Sequence, residues 1–96
     1  MEINQLKDRL VKVVKEKYPK EWSPENRYIS LIKQVADLGE ALECHLGNRS
    51  KSSQHDTPQH LIACVMIDLF MLSDFLKADI EKELLSAIEW FKTGEK

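Results

Sequence analysis

Ninety-six residues, 43% hydrophobic and 31% charged with 3 Gly and 3 Pro, suffice for one core and are too few for two. Lys+Arg 14 against Asp+Glu 16 leaves a net charge of -2, which excludes an overall positive field for holding nucleic acid or an anionic membrane. Two Cys exclude a disulfide framework, and the opening MEINQLKDRL has neither a basic region nor an apolar h-region, so a reduced, cytoplasmic protein is expected.

Apolar residues follow the helical period almost throughout, and four helices are predicted at about 2–17, 24–46, 58–77 and 80–92, making one all-α domain over 1–96. In the first, Ile3, Leu6, Leu10, Val13 and Val14 share a stripe, and the helix ends before Pro19. Ser23-Pro24-Glu25 then supplies a cap, a first-turn proline and an acid suited to the positive end of a helix dipole. The second helix carries Tyr28, Leu31, Ile32, Val35, Leu38, Leu42 and Leu46 on one apolar face and stops at Gly47. Asn48 to Asp56 contains no apolar side chain and is expected to be a mobile loop.

Thr57-Pro58 restarts the chain, and the third helix, HLIACVMIDLFMLSDFLK, is apolar nearly all round. Its longest nearly apolar run, Leu61 to Leu72, is interrupted by Asp68 and falls short of the roughly 20 residues a membrane span needs, so a buried helix is expected. Four short helices in one monomer offer little cover for it. Asp79 caps the fourth helix, whose stripe is Ile80, Leu84, Ala87, Ile88 and Phe91.

The polar side of the second helix presents Gln34, Asp37, Glu40 and Glu43 at intervals of three, so neighbours stand one turn apart. Carboxylates so stacked can share Mg²⁺, a hard cation taking oxygen ligands. Three acids on a helix are more commonly a solvated face.

Tyr28 to Leu42, YISLIKQVADLGEAL, resembles the second helix of the MazG-like all-α nucleotide pyrophosphohydrolases, commonly L-I-E-E-V-G-E-L-x-E-A-I. Ile62 to Leu76, IACVMIDLFMLSDFL, is similar to that family's third helix, E-x-L-A-D-V-L-x-Y-x-x-x-L-A-D, and Asp79-Ile80-Glu81-Lys82 to the opening of its fourth. The resemblance implies a four-helix fold assembled as a homodimer or homotetramer, which would shelter the third helix. In active members, ExxE on helix two and ExxD on helix three hold Mg²⁺, and water cleaves a nucleoside triphosphate to a monophosphate and pyrophosphate.

Carried onto this chain, ExxE falls on Gln34 and Asp37 and ExxD on Leu61 and Cys64, so Asp37 alone remains acidic. Gln34 retains an amide oxygen, Cys64 a thiol suited to softer metals, and Leu61 nothing. The lysine and asparagine found late in the fourth helix of active members fall near Ala87 and Phe91. With the second and third helices antiparallel in the family's register, Gln34 faces about Cys64, Asp37 about Leu61 and Asp68 about Ser30, so the remaining acids diverge. A metal site rearranged around Asp37, Gln34, Glu40 and Asp68, or one made by Gln34, Asp68 and Asp74 across a subunit contact, is the alternative. For Asp68 the competing expectation is a hydrogen bond to Ser30, Tyr28 or a residue across an interface, since an unpaired carboxylate in an apolar helix costs several kcal/mol.

His60, Cys64 and Asp68 make an i, i+4, i+8 stripe with zinc-ligand geometry, but no CxxC or HExxH spacing accompanies it. Cys44 and Cys64 lie on the order of 15 Å apart along the groove and are not expected to bridge. In active relatives an aromatic near the position of Trp22 or Trp90 can stack on a nucleobase, but the favoured expectation for either is the edge of the small core or a subunit contact. Arg49 and Lys51 could meet phosphates, with a solvated loop as the default. The expected function is therefore a pyrophosphohydrolase relative that has lost the usual Mg²⁺-dependent activity and serves as a nucleotide-pocket or oligomeric interaction protein. An active nucleoside triphosphate pyrophosphohydrolase with a rearranged site and an unrelated helical adaptor are the competing expectations.

Overall fold

The computed structural model describes residues 2–18, 23–47 and 57–94, and among them the chain is entirely helical apart from turns and caps. The helices are α1 (Glu2–Lys17), α2 (Pro24–His45), α3 (Pro58–Phe75) and α4 (Ile80–Thr93). The stretch expected to be a mobile loop, Asn48 to Asp56, lies outside the described residues, as do Trp22, Arg49 and Lys51.

The start signals act as their chemistry requires. Ser23 Oγ accepts the Asn26 N–H at 3.1 Å, Thr57 Oγ1 accepts the His60 N–H at 3.1 Å, and Asp79 Oδ1 accepts the Lys82 N–H at 3.1 Å. Gly47 follows α2 with φ 80, the left-handed conformation a helix stop favours. α3 ends at Phe75 rather than near 77 because the chain turns there: Lys77 adopts φ 58, its N–H reaches the Asp74 carbonyl, and the Ala78 N–H reaches Ser73. These two bonds form a Schellman closure with lysine where glycine is usual.

The principal packing is α2 on α3, with α1 laid against α3 and α4 against α1. α2 and α3 are antiparallel: Ser23, Pro24 and Arg27 at the start of α2 share a cavity with Met71, Leu72 and Phe75 at the end of α3. α4 is held at its beginning by Asn4 of α1, whose amide donates to Asp79 Oδ1 at 3.1 Å and accepts the Glu81 N–H at 3.4 Å.

Only Val11, Leu61 and Phe70 are buried hydrophobic side chains among the described residues, alongside Arg27, Asp68 and Ser73. The radius of gyration is 15.8 Å, against roughly 12–13 Å from the scaling of compact domains of this length. The chain is an open assembly of helices, 42 × 40 × 23 Å.

The apolar face of α2 proves to be two faces. Leu31 and Leu38 turn toward α3 and are partly buried, whereas Tyr28, Ile32, Val35, Leu42 and Leu46 are exposed. α3 divides similarly, because α2 takes the side bearing Leu61 and Asp68 while Ile62, Met66 and Leu69 stay open. By length and composition α3, with 18 residues and a mean hydropathy of 1.2, is long and apolar enough to be a candidate membrane span. It reaches only about 27 Å at helical rise, just under a typical hydrocarbon core, and carries a buried ion pair at its middle.

Candidate functional site

Asp68 stands near the middle of α3 and is buried. Its Oδ1 accepts from Arg27 Nη1 at 2.6 Å and its Oδ2 from Ser30 Oγ at 2.8 Å. The Arg27 and Asp68 side chains are 7% and 3% exposed, so this is a desolvated, charge-assisted pair. Arg27 and Ser30 stand three residues apart on one face of α2, which is why both reach the same carboxylate.

Ser30 is the partner the antiparallel register predicts, and Tyr28, the other intramolecular partner expected, points outward and is exposed. Arg27 was not among the expected partners. It lies one turn before Ser30 on the same face of α2, and its positive charge beside an acid in an apolar helix is the sequence signal for the pair.

The positions that correspond to a catalytic quartet are differently furnished. Gln34 and Asp37 continue the inward face of α2 and are partly buried, and Glu40 follows one turn later, also partly buried. Opposite them in register, Leu61 is 2% exposed and serves as core. The Cys64 Sγ lies 3.5 Å from His60 Nε2, one turn along its own helix. Among the described residues no group of three or more His, Cys, Asp or Glu side chains is placed to hold a metal ion. One carboxylate, one amide, a buried leucine and a thiol beside an imidazole do not fit Mg²⁺, which requires oxygen ligands around a near-octahedral ion. Asp68 offers no replacement, because Arg27 and Ser30 already engage both of its oxygens. No disulfide joins Cys44 and Cys64.

A cavity of about 90 Å³ opens at the other end of the α2–α3 groove, where the end of α1 contributes Lys15. Lys15 Nζ donates to Asp74 Oδ2 at 2.9 Å across its mouth. That hydrogen bond, together with the Lys15 charge, holds the Asp74 carboxyl below its ordinary pKa. The Lys82 backbone N–H and the Asn4 amide do the same for Asp79.

Both carboxyls therefore favour the folded state when ionised. Their contribution is complete above the ordinary aspartate pKa near 3.9 and is lost as the pH falls through the lowered folded values. Acid unfolding followed by circular dichroism is expected to begin below about pH 4 and to begin at lower pH in wild type than in Asp74→Asn. Since Lys15 is largely exposed, the difference should shrink in high salt and stay within about 1 kcal/mol.

No protein-family model, curated protein or solved structure matches the chain.

Proposed function

We propose that this chain is a relative of the MazG-like nucleotide pyrophosphohydrolases in which the metal-binding quartet has decayed, leaving an oligomeric protein that binds a nucleotide or another protein without hydrolysing triphosphates. The observation that carries the reading is Leu61. The position where the family's third helix begins its metal motif is occupied by an aliphatic side chain sealed into the α2–α3 contact. Asp37 is the one acid at the four corresponding positions, and Asp68, the nearest acid on α3, is engaged by Arg27 and Ser30.

The oligomeric part of the reading is supported by exposure. Ile32, Val35, Ile62, Met66 and Leu69 all stand open on the helices that make the main contact of the subunit. Large apolar patches of this kind mark interaction surfaces in folded proteins.

The test is incubation of the purified protein with a panel of ribo- and deoxyribonucleoside triphosphates and Mg²⁺ or Mn²⁺, with pyrophosphate release as the readout. The expected result is no release above a metal-only blank. Turnover that disappears in Asp37→Ala would overturn the proposal and establish a working enzyme with a rearranged site. A thermal shift produced by nucleotide without turnover would select the nucleotide-pocket form of the proposal over the protein-binding form.

A further inference from the structure

His60 and Cys64 stand one turn apart on α3, and the Cys64 Sγ lies 3.5 Å from His60 Nε2. Asp68 would continue their stripe, but Arg27 and Ser30 draw it into the α2–α3 contact, so an imidazole nitrogen and a sulfur are left together. This donor set suits Mg²⁺ poorly and Zn²⁺ well, because zinc is soft enough for thiolate and imidazole.

The distance between the two atoms selects a geometry. With Zn–S about 2.3 Å, Zn–N about 2.0–2.1 Å and a tetrahedral angle of about 109°, sulfur and nitrogen on one zinc ion stand about 3.5 Å apart. A linear arrangement of the same bonds would separate them by about 4.3–4.4 Å. His60 and Cys64 therefore already have the tetrahedral bite. Without metal, the same separation suits a weak S–H···N hydrogen bond with the imidazole hydrogen on Nδ1. Zinc takes the place of that shared proton: the thiol proton leaves to solvent, the thiolate binds the ion, and Nε2 gives its lone pair.

We propose that His60 and Cys64 form an open, exchangeable zinc site, with Sγ and Nε2 as the donors from the chain and water or a donor atom of a bound molecule completing the tetrahedron. The site owes nothing to the resemblance, since His60 has no part in the quartet, and it is independent of the loss of triphosphate hydrolysis. Asp37 stands level with the pair on α2, by the register of Ser30 and Asp68, but is not placed as a third ligand. Catalytic zinc usually has three protein ligands and structural zinc four, so two donors make a reversible binding site and not a folding element.

The helix holds the two donors in place. Thr57 Oγ1 accepts the His60 N–H at 3.1 Å, which closes the first turn of α3, and the neighbouring Leu61 is buried against α2. Donors carried on a rigid element keep their geometry and lose little freedom when the ion binds. Access is open as well. His60 is exposed and Cys64 half-buried, and at 3.6 residues per turn both lie on the side of α3 roughly opposite Ile62, Met66 and Leu69. An ion reaches them from solvent without disturbing the core.

The experiment is calorimetric titration of the full, reduced chain with Zn²⁺, with Cd²⁺ as a spectroscopic probe, because a cadmium–thiolate bond gives an ultraviolet charge-transfer band. One ion per chain and a band on Cd²⁺ addition are expected. Cys64→Ser should abolish the band. It and His60→Ala should each weaken Zn²⁺ binding by about 10-fold or more, since even an indirect partner of a metal ligand costs that much when removed. Cys44→Ser should change neither readout, and excess Mg²⁺ should not displace the ion. Both donors lie outside the buried core, so helical circular dichroism should persist in every variant and separate loss of binding from loss of fold.

Wild type that binds Zn²⁺ no more tightly than Cys64→Ser would overturn the site and leave the contact as a hydrogen bond only. Binding insensitive to His60→Ala, or a band lost in Cys44→Ser, would overturn the pair as the ligand set. Displacement by Mg²⁺ would assign the ion to carboxylates, and one ion per two chains would replace the open site with one shared between copies; each overturns the proposal. None of these outcomes alters the expectation for pyrophosphate release.

Discussion

Asp68→Ala is expected to destabilise the folded chain by about 3–5 kcal/mol, measured by urea unfolding, because it leaves the Arg27 guanidinium buried without the carboxylate that compensates it. Domains of this kind have roughly 5–15 kcal/mol in total, so the variant should be substantially unfolded at modest denaturant. Arg27→Met should cost a similar amount, since the Asp68 carboxylate would retain only the Ser30 hydroxyl. The double variant Arg27→Met, Asp68→Leu is the informative one. Removing both charges removes the desolvation cost as well as the attraction, and replacement of a buried pair by apolar side chains is often neutral or stabilising. Strong non-additivity is therefore expected, with the double variant more stable than either single one.

A loss of that size separates two roles for Asp68. A metal ligand held in a pocket would respond to its removal with a change in divalent-ion binding and, because an unneutralised acid is relieved, with little loss of stability or a gain. A structural carboxylate responds with the loss just described, in the presence or absence of Mg²⁺. Ser30→Ala gives the lesser version: Oδ2 loses one hydrogen bond to a charged group, on the order of 1.5–3 kcal/mol.

The helices were legible because their punctuation is chemical and local. Ser23-Pro24, Thr57-Pro58, Asp79 and Gly47 fix where backbone N–H and carbonyl groups find partners, and each acts within three or four residues of itself. The end of α3 was less legible because its closing residue is Lys77, whose left-handed backbone has no signature in a lysine. What periodicity could not show is which of several apolar sides a helix turns inward. In α2 the positions of Leu31 and Ile32 are adjacent and equally apolar, and only the placement of α3 makes one partly buried and leaves the other open.

The polar groups follow the same division. An acid in an apolar helix requires a partner, and the antiparallel register places Ser30 opposite Asp68. Arg27 was hidden by its place in an ordinary first turn of α2, among charged residues that would suit solvent. Asn4 was hidden more thoroughly: it lies 75 positions from Asp79, and one amide on the first helix gives no hint that it secures the start of the fourth. Contacts made by single side chains across long separations leave no periodic trace.

Leu61→Glu is the complementary experiment, since it puts a carboxylate back where the resemblance would have one. The side chain at this position is 2% exposed and faces the α2–α3 contact, so the expected outcome at pH 7 is a loss of several kcal/mol in unfolding free energy from an unpaired buried charge. The lost packing of leucine adds to it; truncation alone, in Leu61→Ala, should cost about 2–5 kcal/mol. The two variants differ in their pH response. Burial raises the folded-state pKa of the introduced acid, so its penalty is full above that value and fades as the pH falls toward the ordinary glutamate pKa near 4.3, whereas the alanine variant has no such dependence. Mg²⁺ is expected to leave the Leu61→Glu deficit unchanged, because Asp37 is the only other acid of the quartet and Gln34 and Cys64 add no charge. Recovery of stability in millimolar Mg²⁺ would show that the introduced carboxylate and Asp37 together hold a cation, and would count against the proposed loss of metal binding.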